Sequence, residues 1–340
     1  MTRLNVGIDV SANSLDVAYW EQEQGEAVFQ GKFPNTSKGF QTIAQKIKRR
    51  CEETDTTSVL IVMEPTGGYE QPFARFAIEC EWQVSLPNPY RVRKWAEAMG
   101  VRAKTDRHDA RTLAHYGFMQ NPHQWKPLPP EVEQLEHLLD RLANLQDMLN
   151  REKNRTHSAG YHVNPHEAAH DDLKESISSL EQRIKQIQGA IKAHLKAYPH
   201  LWEQKKLLLT VSGVGEKNVL YILVMMHRWG ALTSGEGDAK GLVAYLGLDP
   251  KPHESGTSVY KRARISRQGN RPLRSRLYMG ALGGIKGKNS PLRAFYNRLV
   301  GRGKAKKLAL VASARKILVW SWAVYKSNTP FDAARFDYTH

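Results

Sequence analysis

At 340 residues and 41% apolar composition, the chain is long enough for two or three domains with cores of their own and too apolar for a disordered tail. Its net charge of +16 calls for an anionic partner, while two cysteines without C-x-x-C spacing, Cys51 and Cys80, exclude a disulfide framework and a structural zinc site and fit a reduced, cytoplasmic setting. The longest unbroken apolar run, 219–226, is core-length and not membrane-length, and MTRLNVGIDV leads into a strand pattern without a signal peptide's apolar stretch and cleavage site.

The first 120 residues read as alternating strands and helices. LNVGID is an apolar run closing on Asp9, and LDVAYW (15–20) and VFQGKF (28–33) supply two more strands. Helical spacing runs through Phe40, Ile43, Ile47 and Cys51. A buried strand, SVLIVME (58–64), ends on Glu64, and PTGGY punctuates it before a helix near 72–79. WQVSLPNP reads as a further strand and 107–116 as a helix. Three antiparallel strands followed by β-α-β-α units predict a mixed sheet flanked by helices, over residues 1–125.

Pro122, Pro127, Pro129 and Pro130 mark a break. Beyond it, Val132, Leu135, Leu138, Leu139, Leu142, Leu145 and Leu149 form one apolar stripe, and Leu173, Ile177, Leu180, Ile184, Ile187 and Ile191 a second. The two predict an antiparallel helical hairpin over 126–204, with the histidine-rich interval 157–170 as its connection and spacings too irregular for a metal site. The third segment, 205–340, is predicted to be mostly helical. Its LLLTVSGVGEKNVLYIL sets Gly213, Gly215 and Lys217 between two apolar helical stretches. That is a helix-hairpin-helix pattern, in which glycine amides approach a phosphate; it is also an ordinary helix connection.

Between 251 and 326, nineteen Lys and Arg accompany a single acid, Glu254, with Tyr260, Tyr278, Tyr296 and Trp320 among them. Such a stretch predicts a nucleic-acid-binding face. Its candidate contacts are Lys261, Arg262, Arg264, Arg267, Arg271 and Arg274, joined by Gly213, Gly215 and Lys217, and by Lys104 upstream. Covering six phosphates would give a log–log salt slope of roughly −5.

The acids carry the chemistry. Asp9 closes the first strand, Glu64 the fourth, and Asp106 and Asp109 in KTDRHDARTLAHYG lie three apart on a helix, with Cβ atoms about 5–6 Å from each other. In open α/β sheets functional groups gather at the carboxyl ends of neighbouring strands. Carboxylates brought together there repel unless divalent cations neutralise them, and hard oxygen ligands select Mg²⁺ or Mn²⁺. The ordinary alternatives are a turn residue at Asp9, a helix cap at Asp106 and a first-turn acid at Asp109. Asp16 and Glu70 read as surface residues. His108 and His253 lie beside key residues but read as solvent-facing.

Together GIDVSANSLDVA, MEPTGGY and KTDRHDARTLA, with VSGVGEKNV, LVAYLGLDP and HESGTSVYKRARISRQGNRPLRSRLYMGAL, resemble the DEDD transposases of the insertion-sequence 110 family, relatives of the pilin-gene invertases. The resemblance implies an α/β, ribonuclease H-like (RuvC-like) first domain, a long helical coiled-coil hairpin and a mostly α second domain. It implies a tetrad of Asp9, Glu64, Asp106 and Asp109 acting with Mg²⁺ or Mn²⁺, and a nucleophilic serine, Ser255, that forms a transient phosphoserine link to DNA. By residue type alone Ser255 is an ordinary loop serine, with Thr257 and Ser258 as rivals. Donor and target double-stranded DNA, an element-encoded bridge RNA pairing with both, and a dimer or tetramer with composite sites are implied as partners, in the nucleoid of a bacterial or archaeal cell. Two other readings remain: a metal-dependent resolvase or endonuclease in which water attacks, and a non-catalytic nucleic-acid-binding protein that keeps the fold.

Overall fold

The computed structural model describes residues 3–21, 25–100, 106–164, 166–255 and 259–336. The chain divides into two compact units, residues 1–127 with 231–235, and residues 128–230 with 236–340.

The first unit is built on a five-stranded sheet in the order β3-β2-β1-β4-β5. Strands β1 (Arg3–Val10), β2 (Ser14–Glu21) and β3 (Glu26–Pro34) pair antiparallel; β4 (Ser58–Met63) joins β1 in parallel and β5 (Gln83–Ser85) joins β4 likewise. The predicted mixed sheet is therefore present. Its central strands are apolar on both faces, as strands covered on both sides must be. One face packs helices α1 (Ser37–Glu53) and α2 (Gln71–Glu79) through Ile43, Ile47, Phe73 and Ala77. WQVSLPNP departs from its reading as one strand. β5 stops at Ser85, and Asn88 caps a new helix, α3 (Pro89–Ala98), by accepting the Tyr90 amide at 2.9 Å, with Pro89 at the first helical position.

Helix α4 (Asp106–Gln120) presses on the sheet. A Cβ placed on Gly7 would lie 2.1 Å from the Ala110 carbonyl oxygen and 2.2 Å from the Ala114 nitrogen, and one on Gly117 would lie 2.8 Å from Val62. The far end of the helix is tied down by Arg3, which donates to Asn121 Oδ1 at 2.6 Å and to the Gly117 carbonyl at 3.3 Å. Trp20 stacks on His115 and Phe118 along its flank.

In the second unit α5 (Pro130–Ala159) and α6 (Glu167–Ala197) form the hairpin, each about 45 Å long. Its antiparallel pairing is marked by His194 Nε2 against the Glu131 carbonyl, 2.7 Å, and by a Lys153–Glu181 ion pair farther out. The root of the hairpin joins the main core. There Val132, Leu135, Ile191 and Leu195 pack with α7 (Pro199–Leu209), α8 (Val219–Leu232), α9 (Ala239–Tyr245), α10 (Arg271–Gly284), α11 (Pro291–Gly301) and α12 (Lys306–Ser327). By length and composition α12 is apolar enough to cross a membrane, but its Ile317, Leu318, Trp320 and Ser321 are buried in this core. Strands β6 (Pro250–Ser255) and β7 (Val259–Ile265) form a separate antiparallel hairpin.

Because a side chain at Gly7 would meet backbone, which cannot step aside, Gly7→Ala is expected to destabilise the first unit by about 3 kcal/mol or more. Urea unfolding followed by Trp fluorescence checks this; an unchanged midpoint would contradict the contact.

Candidate active site

The strand register places the acids. Asp9 on β1 is paired across the antiparallel ladder with Asp16 on β2, and Asp16 with Lys32 on β3. On the other side the parallel register pairs Ile8 with Met63, so one step on brings Asp9 beside Glu64, immediately past β4. Paired residues share a face, so Lys32, Asp16, Asp9 and Glu64 form a row across the sheet at the carboxyl ends of β1 and β4.

Helix α4 comes to the same place. Asp9 shares a sheet face with Gly7, two residues back, and Gly7 touches Ala110. The helix runs opposite to β1, since Gly7 meets Ala110 and Ala114 while Arg3 meets Gly117 and Asn121. Its first turn, with half-buried Asp109, therefore lies toward the Asp9 end of the strand. Asp106 begins the helix, but its side chain lies outside the described residues, as does all of Lys104. Among the described residues no three acidic, histidine or cysteine side chains are gathered closely enough to hold an ion. The donor set is nonetheless of hard carboxylate oxygens from adjacent strand ends and a facing helix, and this chemistry fits a divalent cation such as Mg²⁺ or Mn²⁺.

Two acids that read as surface residues are buried. Asp16 is 5% exposed and Glu70 4%. Asp16 stands directly opposite Asp9, where two like charges destabilise a ladder; Lys32 Nζ, 3.2 Å from Asp16 Oδ2, offsets one of them. Glu70 organises the turn that follows Glu64. Its Oε2 accepts the amides of Thr66 and Gly68, both at 3.0 Å, and Gln71 Nε2 donates to its other oxygen at 3.2 Å. Gly67 and Gly68 take left-handed φ values of 73° and 109°, which lets both amides point inward. Burial pushes the Glu70 carboxyl up, but the donated hydrogen bonds outweigh it and hold it below the usual glutamate value.

The remaining predicted residues fall in the second unit. Ser255 is the last residue of β6, paired in register with Val259, and not a loop residue; the alternation in VYKRARI continues the ladder on the other strand. Thr257 and Ser258, and the side chains of His253, Ser255, Lys261 and Arg262, lie outside the described residues. Arg264 is exposed on β7, and Arg267, Arg271 and Arg274 line one cavity of about 690 Å³. Gly213 has a packing task. At φ 91° it lies against α12, where a Cβ would be 2.5 Å from Ile317, and against Gly280 and Gly284 of α10. The Gly215 amide donates to Asn218 Oδ1 at 2.8 Å, while Lys217 beside it is exposed. The 213–218 turn, α5 and α10 enclose a groove of about 1020 Å³ that includes Lys217 and Arg276.

Comparison with known proteins gives two family matches, and the first runs past the boundary between the units to the end of α5. A transposase family model bearing the DEDD signature matches residues 6–160, and the model for transposases of the IS116/IS110/IS902 family matches 205–297. The chain is 30% identical over 335 residues to the pilin gene-inverting proteins of Moraxella bovis and Moraxella lacunata, covering 98% of each chain. It is also 27% identical over 165 residues to an uncharacterized 43.6 kDa insertion element IS110 protein of Streptomyces coelicolor, 47% of this chain and 37% of that one.

Glu70→Gln is expected to cost about 1–3 kcal/mol of stability at neutral pH by weakening both amide contacts. Because the native carboxyl titrates low, its contribution is complete above the ordinary glutamate value and fades as pH falls through the lowered one. The gap between wild type and variant should therefore narrow in acid; a gap that widens there would contradict the assignment. Urea titrations at several pH values measure it.

Proposed function

The chain belongs to the insertion-sequence 110 family of transposases, DNA transposases or site-specific recombinases, and from that premise we propose that it exchanges DNA strands through a phosphoserine intermediate on Ser255, assisted by Asp9, Glu64, Asp106 and Asp109. The observation that carries the reading is the meeting of Asp9 and Glu64 at the ends of adjacent parallel strands, with the first turn of α4 above them. The 3-2-1-4-5 sheet order supports a RuvC-like assignment for this unit, and the paired α5 and α6 support a coiled-coil arm.

In the proposed step Ser255 Oγ bonds to phosphorus and the bond from phosphorus to one sugar oxygen breaks. The hydroxyl proton leaves to a base, and the departing sugar oxygen takes one up. A hydroxyl from the other strand then attacks the phosphoserine, restoring a phosphodiester and free Ser255, so the bond energy is kept and no nucleotide cofactor is consumed. Mg²⁺ or Mn²⁺ at the acids would supply charge neutralisation at the phosphate and the departing oxygen. Asp9, Glu64, Asp106 and Asp109 would hold that ion, and Glu70 keeps Glu64 in place through the turn.

An element-encoded bridge RNA for sequence choice, and a dimer or tetramer that assembles sites from two protomers, complete the proposal. Base pairing would leave the protein to grip backbones, which suits its exposed arginines.

Denaturing gels of the protein incubated with its element DNA and Mg²⁺ test the chemistry. A protein–DNA adduct formed by wild type and lost in both Ser255→Ala and Asp9→Ala is expected. Cleavage without an adduct that persists in Ser255→Ala would make the protein a hydrolytic nuclease instead.

A further inference from the structure

At the foot of the β6–β7 hairpin, the loop 266–270 leads into α10, and beneath it lies the cavity of about 690 Å³. Arg267, Arg271 and Arg274 line it with Ser275 and Tyr278, over an apolar floor that includes Leu248 and Ile265. Among the described residues no carboxylate lines the cavity, and the nearby Asp249 accepts the Ser266 hydroxyl.

This arrangement of cations is held against two unfavourable tendencies. Arg271 and Arg274 occupy the first turn of a 14-residue helix, the end whose dipole favours anions and disfavours cations. Arg267 has a left-handed backbone, φ 57°, uncommon for a long side chain. The loop is nevertheless fixed. The Arg267 amide donates to the Gly247 carbonyl at 3.1 Å and the Ser266 amide to the Asp249 carbonyl at 3.0 Å. A Cβ on Gly247 would lie 2.1 Å from the Gln268 oxygen, and one on Gly269 2.2 Å from the Tyr245 oxygen. Asn270 caps α10 by accepting the Leu273 amide at 2.8 Å, and Arg274 is steered by donating to the Leu246 carbonyl at 2.9 Å. Burial first, and then the charges of Arg267 and Arg271, hold the Arg274 guanidinium below its ordinary pKa.

We infer that this cavity is a receptor for one backbone phosphodiester, gripped by Arg267, Arg271 and Arg274 at the start of α10. An anion there relieves the repulsion among the guanidiniums and meets the helix dipole with the favoured sign. The inference rests on the proposed strand exchange and adds a register to it. Pro250 pairs with Ile265 at the foot of the hairpin and Ser255 with Val259 at its far end. Five strand steps are roughly 17 Å, or about five nucleotides of a strand's axial rise. The receptor therefore holds a strand about five nucleotides from the phosphate that Ser255 attacks.

The test uses the full chain, a duplex from the element end, and RNA of the same sequence. Binding is measured against salt for wild type, the double variant Arg267→Asn/Arg271→Gln, and Lys286→Gln as a control outside the cavity. Asn tolerates the left-handed backbone and Arg274 keeps its bond to Leu246, so an unchanged melting temperature is expected. The double variant should lower the salt slope by about 1. One neutral methylphosphonate in the DNA, about five nucleotides from the joined phosphate, should weaken wild type and leave the double variant unaffected; an effect seen with RNA alone would overturn the register. An unchanged slope on both, or a loss that follows no single phosphate position and is matched by Lys286→Gln, would overturn the receptor. Adduct formation on Ser255 with an unchanged slope would overturn the receptor alone, whereas absence of DNA binding by wild type would overturn the strand-exchange reading with it.

Discussion

The close approach of α4 to the central strand is the constraint on which the candidate site depends. Gly7 and Gly117 have no side chains, so helix backbone reaches sheet backbone, and Arg3 fixes the far end of the helix to the same strand. The consequence appears at the other end, where the first turn bearing Asp109 is carried toward Asp9 and Glu64. A helix standing off by one side-chain layer would leave the strand-end acids facing solvent.

That approach gathers negative charge in a mostly apolar sheet, and the surroundings compensate locally. Lys32 offsets Asp16, and the amides of Thr66 and Gly68 offset Glu70. Asp9 and Glu64 occupy the centre of the row, where hard oxygen donors suit a divalent cation, as the membership of a DEDD family suggests. The second unit has the opposite sign, with arginines clustered where no described acid lines the cavity.

Much of this was legible in the sequence. The strands announce themselves because a sheet covered on both faces needs continuous apolar runs, and each run ends where an acid or a turn begins, as at Asp9 and Glu64. The helical hairpin is legible from its leucine and isoleucine stripes. Asp16 and Glu70 were not, because burial of an acid depends on a partner that local sequence does not identify: Lys32 lies on the next strand, and the Thr66 and Gly68 amides turn inward only through the φ values of Gly67 and Gly68. Ser255 read as a loop residue because a short polar strand has no apolar alternation; its pairing with Val259 is a property of the hairpin. Gly213 suggested a phosphate loop, whereas its contact with Ile317 comes from a helix a hundred residues downstream.

The most direct measurement of the central claim is anomalous scattering from crystals of the protein soaked in Mn²⁺. The expected result is an ion held by carboxylate oxygens of both Asp9 and Glu64, beside the first turn of α4. An ion bound elsewhere, or none at this strand end at a concentration that supports activity, would contradict it.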